Sequence, residues 1–332
     1  MLKKSIFLFC IILFFMSVCG CTKKSDLKVA MLTDFGKIQD RSFNQIIWEG
    51  LQRASMEFEI EANYLESHSE SDYLPNLEKL SEEGNNLILG NGFKMDKPLL
   101  EAATKNPKQK YAGVDCYFEN PAANLVGVTF KDQESAYLVG YIAGKMTKTN
   151  QVGFIGGMDT PVIHKFLYGY LAGVKKANPN AEVNRQYLGS FTDIDQAREM
   201  AKQMYENNVD IIFQAAGGAG DGIIEAAVIA GKYVIGVDKD QSCLAPNNVL
   251  TSAMKRMDNA AYNLVKALIA GKFPGGTNVV YGLQENGVGI AASSSNLVPA
   301  EILNEVKELK DQIISGAIVP PTNSEEWGKL HS

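Results

Sequence analysis

The stretch Asp210-Ile211-Ile212-Phe213-Gln214-Ala215-Ala216-Gly217-Gly218-Ala219-Gly220-Asp221-Gly222 decides how this chain folds. A short apolar run breaks into glycines and then opens a helical pattern over 222–230. A second apolar run, 233–237, follows and ends in Gly236-Val237-Asp238. Strand, glycine turn, helix, strand is one βαβ unit, and its two strands must run parallel.

The same alternation extends outward in both directions. Strand-like runs lie at 28–33, 63–66, 86–90, 110–114 and 124–130. A second series lies at 151–156, 182–188, 210–215, 233–237 and 250–252, with 278–282 and 287–292 later. Between them, residues 43–58, 73–83, 97–106, 133–145, 162–176, 193–207, 222–230 and 257–270 carry apolar side chains at helical spacing, as in Leu138, Tyr141, Ile142 and Met146. The pattern runs through two similar halves, the second opening near Lys131. The chain therefore reads as α/β with two doubly wound lobes. Residues 28–130 with 253–283 form the first, and 131–252 with 284–332 the second. A chain of this length is too long for one simple core.

The first twenty residues stand apart. Lys3 and Lys4 precede an almost wholly apolar run over 5–18, and Gly20 sits directly before Cys21. Positive start, apolar middle and small residue describe a secretory signal over 1–20. The apolar run, about 14 residues, is short of the ~20 that span a bilayer. Ser17-Val18-Cys19-Gly20-Cys21 resembles a bacterial lipobox, so Cys21 is expected to carry lipid, with 21–27 as a polar tether. Of five cysteines, only Cys116 and Cys243 then remain in the mature domain. One disulfide is possible and a disulfide-framed fold is excluded. A net charge of −6 argues against nucleic acid and against polybasic contact with lipid.

Ligands of open α/β sheets bind beyond the carboxyl ends of the strands. In the first half these ends carry Asp34 (in Thr33-Asp34-Phe35-Gly36), Asn91 (in Gly90-Asn91-Gly92-Phe93) and Asp115 (in Gly113-Val114-Asp115). Each alone is more often a turn residue or cap; three at successive ends point to a hydrogen-bonding surface. Asp40 or Ser42 caps the helix that follows, which leaves Phe43 near its start unexplained. In the second half, Gly217-Gly218 lets backbone N–H groups approach a ligand, and Asp238 supplies a carboxylate for vicinal hydroxyls. The spacing is not G-x-G-x-x-G, and no Lys or Arg lies in the turn, so dinucleotide and phosphate are disfavoured. The run 250–255 closes on Lys255, which is either solvated or an ion-pair partner that orients a neighbouring carboxylate.

An enzyme would need carboxylates gathered on a metal, or an activated nucleophile. H-E-x-x-H and G-x-S-x-G are absent, and His68, His164 and His331 are scattered. Asp34, Asp40 and Asp115 are the set that could gather on one Ca²⁺. The reading is a non-enzymatic binding domain, without metal or cofactor.

Asp40-x-Ser42-Phe43-Asn44, Phe213-x-Ala215 with Gly217-Gly218, Gly236-Val237-Asp238 and Lys255 together resemble the basic membrane protein family of lipoproteins. The resemblance covers essentially the whole chain. It implies a type I periplasmic-binding-protein fold, two lobes joined by a three-strand hinge. It also implies a lipid-anchored, monomeric receptor on the extracytoplasmic face of the cell membrane, which delivers a nucleoside, a purine nucleoside in the better-known members, to the permease subunits of an ABC importer. Phe43 and Phe213 would stack on the base from opposite lobes. Asp34, Asn91 and Asp115 would read its polar edge, and Asn44 would be a further ligand-binding residue. Asp238 and Lys255, with the backbone near Gly218, would hold the ribose. Other members bind a flavin, and a sensor or adhesin for a flavin or sugar would need the same exported domain. A nucleoside hydrolase is the remaining alternative.

Overall fold

The computed structural model of the chain describes residues 26–34 and 36–330; the leader, Cys21 and Phe35 lie outside the described residues. Strands run in the order β1 (Lys28–Leu32), β2 (Glu61–Leu65), β3 (Leu87–Asn91), β4 (Lys110–Val114), β5 (Leu125–Phe130), β6 (Gln151–Gly156), β7 (Glu182–Tyr187), β8 (Ile211–Ala215), β9 (Tyr233–Asp238), β10 (Val249–Lys255), β11 (Thr277–Tyr281) and β12 (Val288–Ile290). They form two sheets, β11-β5-β4-β3-β1-β2 and β12-β10-β9-β8-β6-β7. Every pair is parallel except β12, which runs antiparallel to β10.

Central strands such as Leu87–Asn91 and Ile211–Ala215 are buried along their whole length. Helices cover both faces of a parallel sheet, so such strands read as unbroken apolar runs. The edge strands β2 and β7 carry Glu61, Glu182 and Arg185 on an exposed backbone, which discourages further pairing.

The helices are α1 (Phe43–Phe58), α2 (Tyr73–Glu82), α3 (Asp96–Lys105), α4 (Asp132–Met146), α5 (Pro161–Ala177), α6 (Ile194–Glu206), α7 (Gly220–Ala230), α8 (Met257–Ile269), α9 (Ala300–Ile314) and α10 (Ser324–Lys329). The last two were not expected. Their signal is nonetheless present, since Val306, Leu309 and Ile313 line a buried face after Pro299. Helices α4 and α5 approach more closely than side chains permit: a Cβ on Gly173 would lie 2.0 Å from the Tyr137 carbonyl oxygen, and one on Gly140 2.4 Å from that of Tyr170.

The halves repeat each other at the carboxyl ends that matter here. Strands β4 and β9 hold the same place in their sheets. An aspartate in the left-handed region stands at each tip, Asp115 (φ 61°) directly after β4 and Asp238 (φ 66°) as the last residue of β9. Aspartate tolerates that conformation better than most residues. Strands β5 and β10 each lead into a crossover residue of matching backbone, Lys131 (φ −87°, ψ 63°) and Arg256 (φ −82°, ψ 59°). Lys131 N donates to Tyr281 O at 2.9 Å and Arg256 N to Gly287 O at 2.7 Å, tying these crossovers to the segment between β11 and β12. Strand β10 stays paired in the second sheet as far as Lys255, so this crossover falls there and not at 253. Cys116 is buried and Cys243 exposed, and both are free thiols.

Candidate functional site

The loop from β1 to α1 builds one wall of a cleft between the sheets. Asp40 organises it. Its Oδ1 accepts from the backbone N–H of Ser42 (2.9 Å) and Gln45 (3.1 Å), and its Oδ2 from that of Asn44 (2.8 Å). These are the groups that the start of α1 leaves without helical partners, so Asp40 is the cap. Beyond it, Asp34 Oδ1 accepts from Gly36 N and from Asn44 Nδ2, both at 2.8 Å. Asn91 Nδ2 donates to Asn44 Oδ1 at 3.2 Å. Asn44 is thereby held from two sides.

The floor is ionic. Lys255 Nζ lies 2.6 Å from Asp115 Oδ2, across the cleft, and 3.3 Å from Asp132 Oδ1, on its own side. It also sits over the rings of Phe130 and Phe166, at 5.1 and 5.7 Å from their centres. Asp238 closes the other end of the floor, its Oδ2 accepting from the Ser42 hydroxyl of the opposite lobe.

The cavity enclosed is about 470 Å³, and Phe43 and Phe93 from the first lobe face Phe166 and Phe191 from the second around it. Phe191 lies where glycines make room. A Cβ on Gly157 would come within 2.3 Å of its ring, and one on Gly217 within 3.4 Å of its Cβ. The Phe191 carbonyl accepts from Ala219 N at 2.9 Å and fixes the loop. Asp34, Phe43, Asn44, Asp115, Gly218, Asp238 and Lys255 all line the cavity.

Two expected residues do not. Phe213 is wholly buried, packed against Phe154, Phe166 and Tyr170 with ring centres 5.6, 6.1 and 5.2 Å away. It pairs with Phe154 and Ile235 within the sheet, two residues short of the strand end, so its side chain belongs to the layer between sheet and helix. Asn91 is likewise buried and acts on Asn44. Conversely, Phe93, Phe166 and Phe191 line the cavity without having been expected there, and Asp132 acts from beneath it through Lys255. Phe191 had a readable signal, an aromatic residue set in the polar loop Gly189-Ser190-Phe191-Thr192-Asp193 beyond a strand. Asp132 directly follows the β5 crossover, where the local sequence pattern signals only a helix start.

Burial dominates the electrostatics. It raises Asp34 above the usual carboxylate range, against the pull of Asn44, Gly36 and Lys94. It raises Asp40 despite three backbone N–H donors. Asp132 is pushed up to about 6 and Asp238 to about 7, again by burial, with Lys255 opposing in both cases. Burial alone would lower Lys255, but Asp115, Asp132 and Asp238 outweigh it and hold the ammonium charged. The cavity is thus rich in acceptors, and its floor cation is already neutralised. Such a surface suits a ligand with several N–H and O–H donors and a flat apolar face. Among the described residues no group of three or more His, Cys, Asp or Glu converges as metal ligands would. Asp115 is taken up by Lys255 instead of joining Asp34 and Asp40.

Three comparisons bear on this geometry. Residues 27–324 match the family described as ABC transporter substrate-binding protein PnrA-like. "Basic membrane protein A" of Borreliella afzelii is 41% identical over 94% of this chain and 98% of that protein. "ABC transporter nucleoside-binding protein BmpA" of Lactococcus lactis subsp. cremoris is 38% identical over 90% of each. The crystal structure of an ABC transporter solute-binding protein from Aeropyrum pernix K1 superposes with a TM-score of 0.84, at 28% identity, over 92% of this chain and 96% of that one. The two sheets, the cleft between them and the near-complete match agree, and the chain belongs to the PnrA-like, basic membrane protein family of ABC transporter substrate-binding proteins.

Proposed function

We propose that this protein captures a nucleoside, by preference a purine nucleoside, between its two lobes and presents it to the permease subunits of an ABC importer. The observation that carries the reading is the pairing of walls and floor. Phenylalanine rings from both lobes flank a cavity of about 470 Å³, and beneath them lie Asp34, Asp115 and Asp238 with Lys255 already ion-paired. A base fits between aromatic rings, and ribose hydroxyls find acceptors. Among the described residues, a phosphate would meet carboxylates at the floor, where the cation Lys255 is already ion-paired. The Lactococcus relative, a protein named as nucleoside-binding, supports the same ligand class.

Phe43 and Phe191 are the rings best placed to sandwich the base, with Phe191 in the role that the resemblance implies for Phe213. Asp34 and Asn44 read the base edge, and Asp238 with Asp115, held by Lys255, meets the ribose. The protein acts at the extracytoplasmic face of the membrane through lipid on Cys21. Among the described residues no helix is long and apolar enough to cross a membrane. Cys21→Ala should leave the domain folded and free of the membrane fraction; full retention there would exclude the lipid anchor.

Denaturing mass spectrometry of whatever copurifies, followed by calorimetric titration of the emptied protein, tests the ligand. Inosine or guanosine should bind, and hypoxanthine and inosine monophosphate should bind far more weakly. Tighter binding of a flavin or a free sugar would overturn the nucleoside reading.

A further inference from the structure

Ser42 stands at the N-cap of α1, where a serine hydroxyl ordinarily accepts a backbone N–H from the first turn. Here the side chain caps nothing. Asp40 has taken the N–H groups of Ser42, Asn44 and Gln45 in its place. The released hydroxyl leaves its own lobe and donates to Asp238 Oδ2 at the tip of β9. Donor and acceptor belong to different lobes, Ser42 following β1 of the first sheet and Asp238 ending β9 of the second, and both are buried, Ser42 fully and Asp238 to 6% exposure.

Other polar pairs join the lobes along the same seam. Arg41 meets Asp221 at 3.2 Å and Lys239 meets Glu49 at 2.7 Å, but these involve exposed or half-exposed side chains. Pairs in water contribute little. The Ser42–Asp238 bond is shielded from solvent and ends on an ionisable carboxyl, and a bond to a carboxylate is the stronger kind. It also ends on a carboxylate that lines the cavity. Parting the sheets must break it, because neither residue has a route to the other except across the cleft.

We propose that Ser42 is a positioning residue that couples lobe closure to recognition: its hydroxyl fixes Asp238 by Oδ2 only when the lobes are shut, and leaves the other carboxylate oxygen to the ligand. The assignment of that oxygen to a ribose rests on the nucleoside reading above, whereas the coupling to closure does not depend on it. The sequence Asp40-Arg41-Ser42 is then a division of labour, with Asp40 holding the helix so that Ser42 can hold the opposite lobe.

Ser42→Thr and Ser42→Val test this, since the two side chains match in size and differ in the hydroxyl. Ser42→Val should weaken inosine binding about ten- to a hundredfold, the effect of losing one hydrogen bond to a buried charged group. By small-angle scattering it should also enlarge the radius of gyration of the ligand-free protein. Ser42→Thr should restore both toward the unaltered protein, which a purely structural serine would not require. Equal behaviour of the two variants in both measurements overturns the proposal. If the branched side chains prevent folding, Ser42→Ala against the unaltered protein decides the matter by the same two readouts, and no change in either overturns it. Failure of the unaltered protein to bind inosine refutes the nucleoside reading alone; the scattering comparison still judges Ser42.

Discussion

Lys255, the last residue of β10, places its ammonium 2.6 Å from the carboxylate of Asp115 in the facing lobe. The ion pair is almost wholly shielded from water, with side-chain exposures of 2% and 8%. Asp132 stands on the other side of the same nitrogen. One cation therefore serves carboxylates from both lobes at the base of the cleft.

Replacing that lysine should be costly for folding. Lys255→Met would strip Asp115 and Asp132, both buried, of their ion-pair partner, and removing one partner of a buried pair typically destabilises by about 3–5 kcal/mol. Asp115→Asn should cost less, because Lys255 retains Asp132. Urea unfolding of the three proteins gives the order. Equal stability of Lys255→Met and the unaltered chain would mean that the carboxylates find other partners.

The raised carboxylates set a pH dependence with a definite sign. An unfolded aspartate ionises near its ordinary value of about 3.9, while burial holds the proton on folded Asp238 up to about 7, against Lys255 and Ser42. Between those values the folded state binds the extra proton, so this group's contribution to stability is full below about pH 4 and is lost as the pH rises toward 7. Asp132, raised to about 6, acts in the same direction over a narrower window. Asp238→Asn cannot ionise and should gain melting temperature relative to the unaltered protein as pH rises from 4 to 7. Ligand affinity should move the opposite way, rising with pH, because a hydroxyl donor prefers the carboxylate. A constant difference in melting temperature across that range would remove Asp238 from the linkage.

Phe213 and Phe191 separate packing from recognition. Phe213 is enclosed by Phe154, Phe166 and Tyr170, so Phe213→Ala should cost about 3–5 kcal/mol of stability through the cavity it leaves. Phe191 lines the cleft over glycines, so Phe191→Ala should weaken nucleoside binding and disturb folding far less. Thermal unfolding and titration calorimetry on both variants check the pair. A larger loss of affinity than of stability for Phe213→Ala would restore the original expectation.

That exchange shows what local sequence can and cannot carry. The alternation of apolar runs and amphipathic stretches made the parallel sheets readable, because strand burial follows from sheet topology. Asp115 and Asp238 were readable for the same reason, each being the polar residue that ends an apolar run. Phe213 carried a ligand role only through the resemblance; it lies two residues before the strand end at Ala215, and position within a buried strand does not reveal which layer a side chain enters. Asn91 sits at a strand end yet turns to its neighbour Asn44, a contact between residues 47 positions apart that no local pattern encodes. The Lys255 partnership spans 140 positions and two lobes, so only the assembled cleft could identify Asp115 as the partner.

The ribose carries the sharpest test of the site as a whole. Asp238 lines the cavity at the tip of β9, with one oxygen engaged by Ser42. A ligand hydroxyl that donates to this buried carboxylate makes a charge-assisted bond. Removing the hydroxyl leaves acceptor capacity unmet, at about 1–3 kcal/mol, or roughly ten- to a hundredfold in affinity. Inosine should therefore bind more tightly than 2′-deoxyinosine by that factor, and hypoxanthine, with no sugar, should bind more weakly still. Asp238→Ala should bring inosine and deoxyinosine close together while the fold survives, since the substitution removes a buried carboxyl and leaves Lys255 its pairs with Asp115 and Asp132. Titration calorimetry with the three ligands on both proteins decides it. Equal affinity of the unaltered protein for inosine and deoxyinosine would take Asp238 out of contact with the 2′-hydroxyl, and an undiminished preference in Asp238→Ala would move ribose recognition to Asp115.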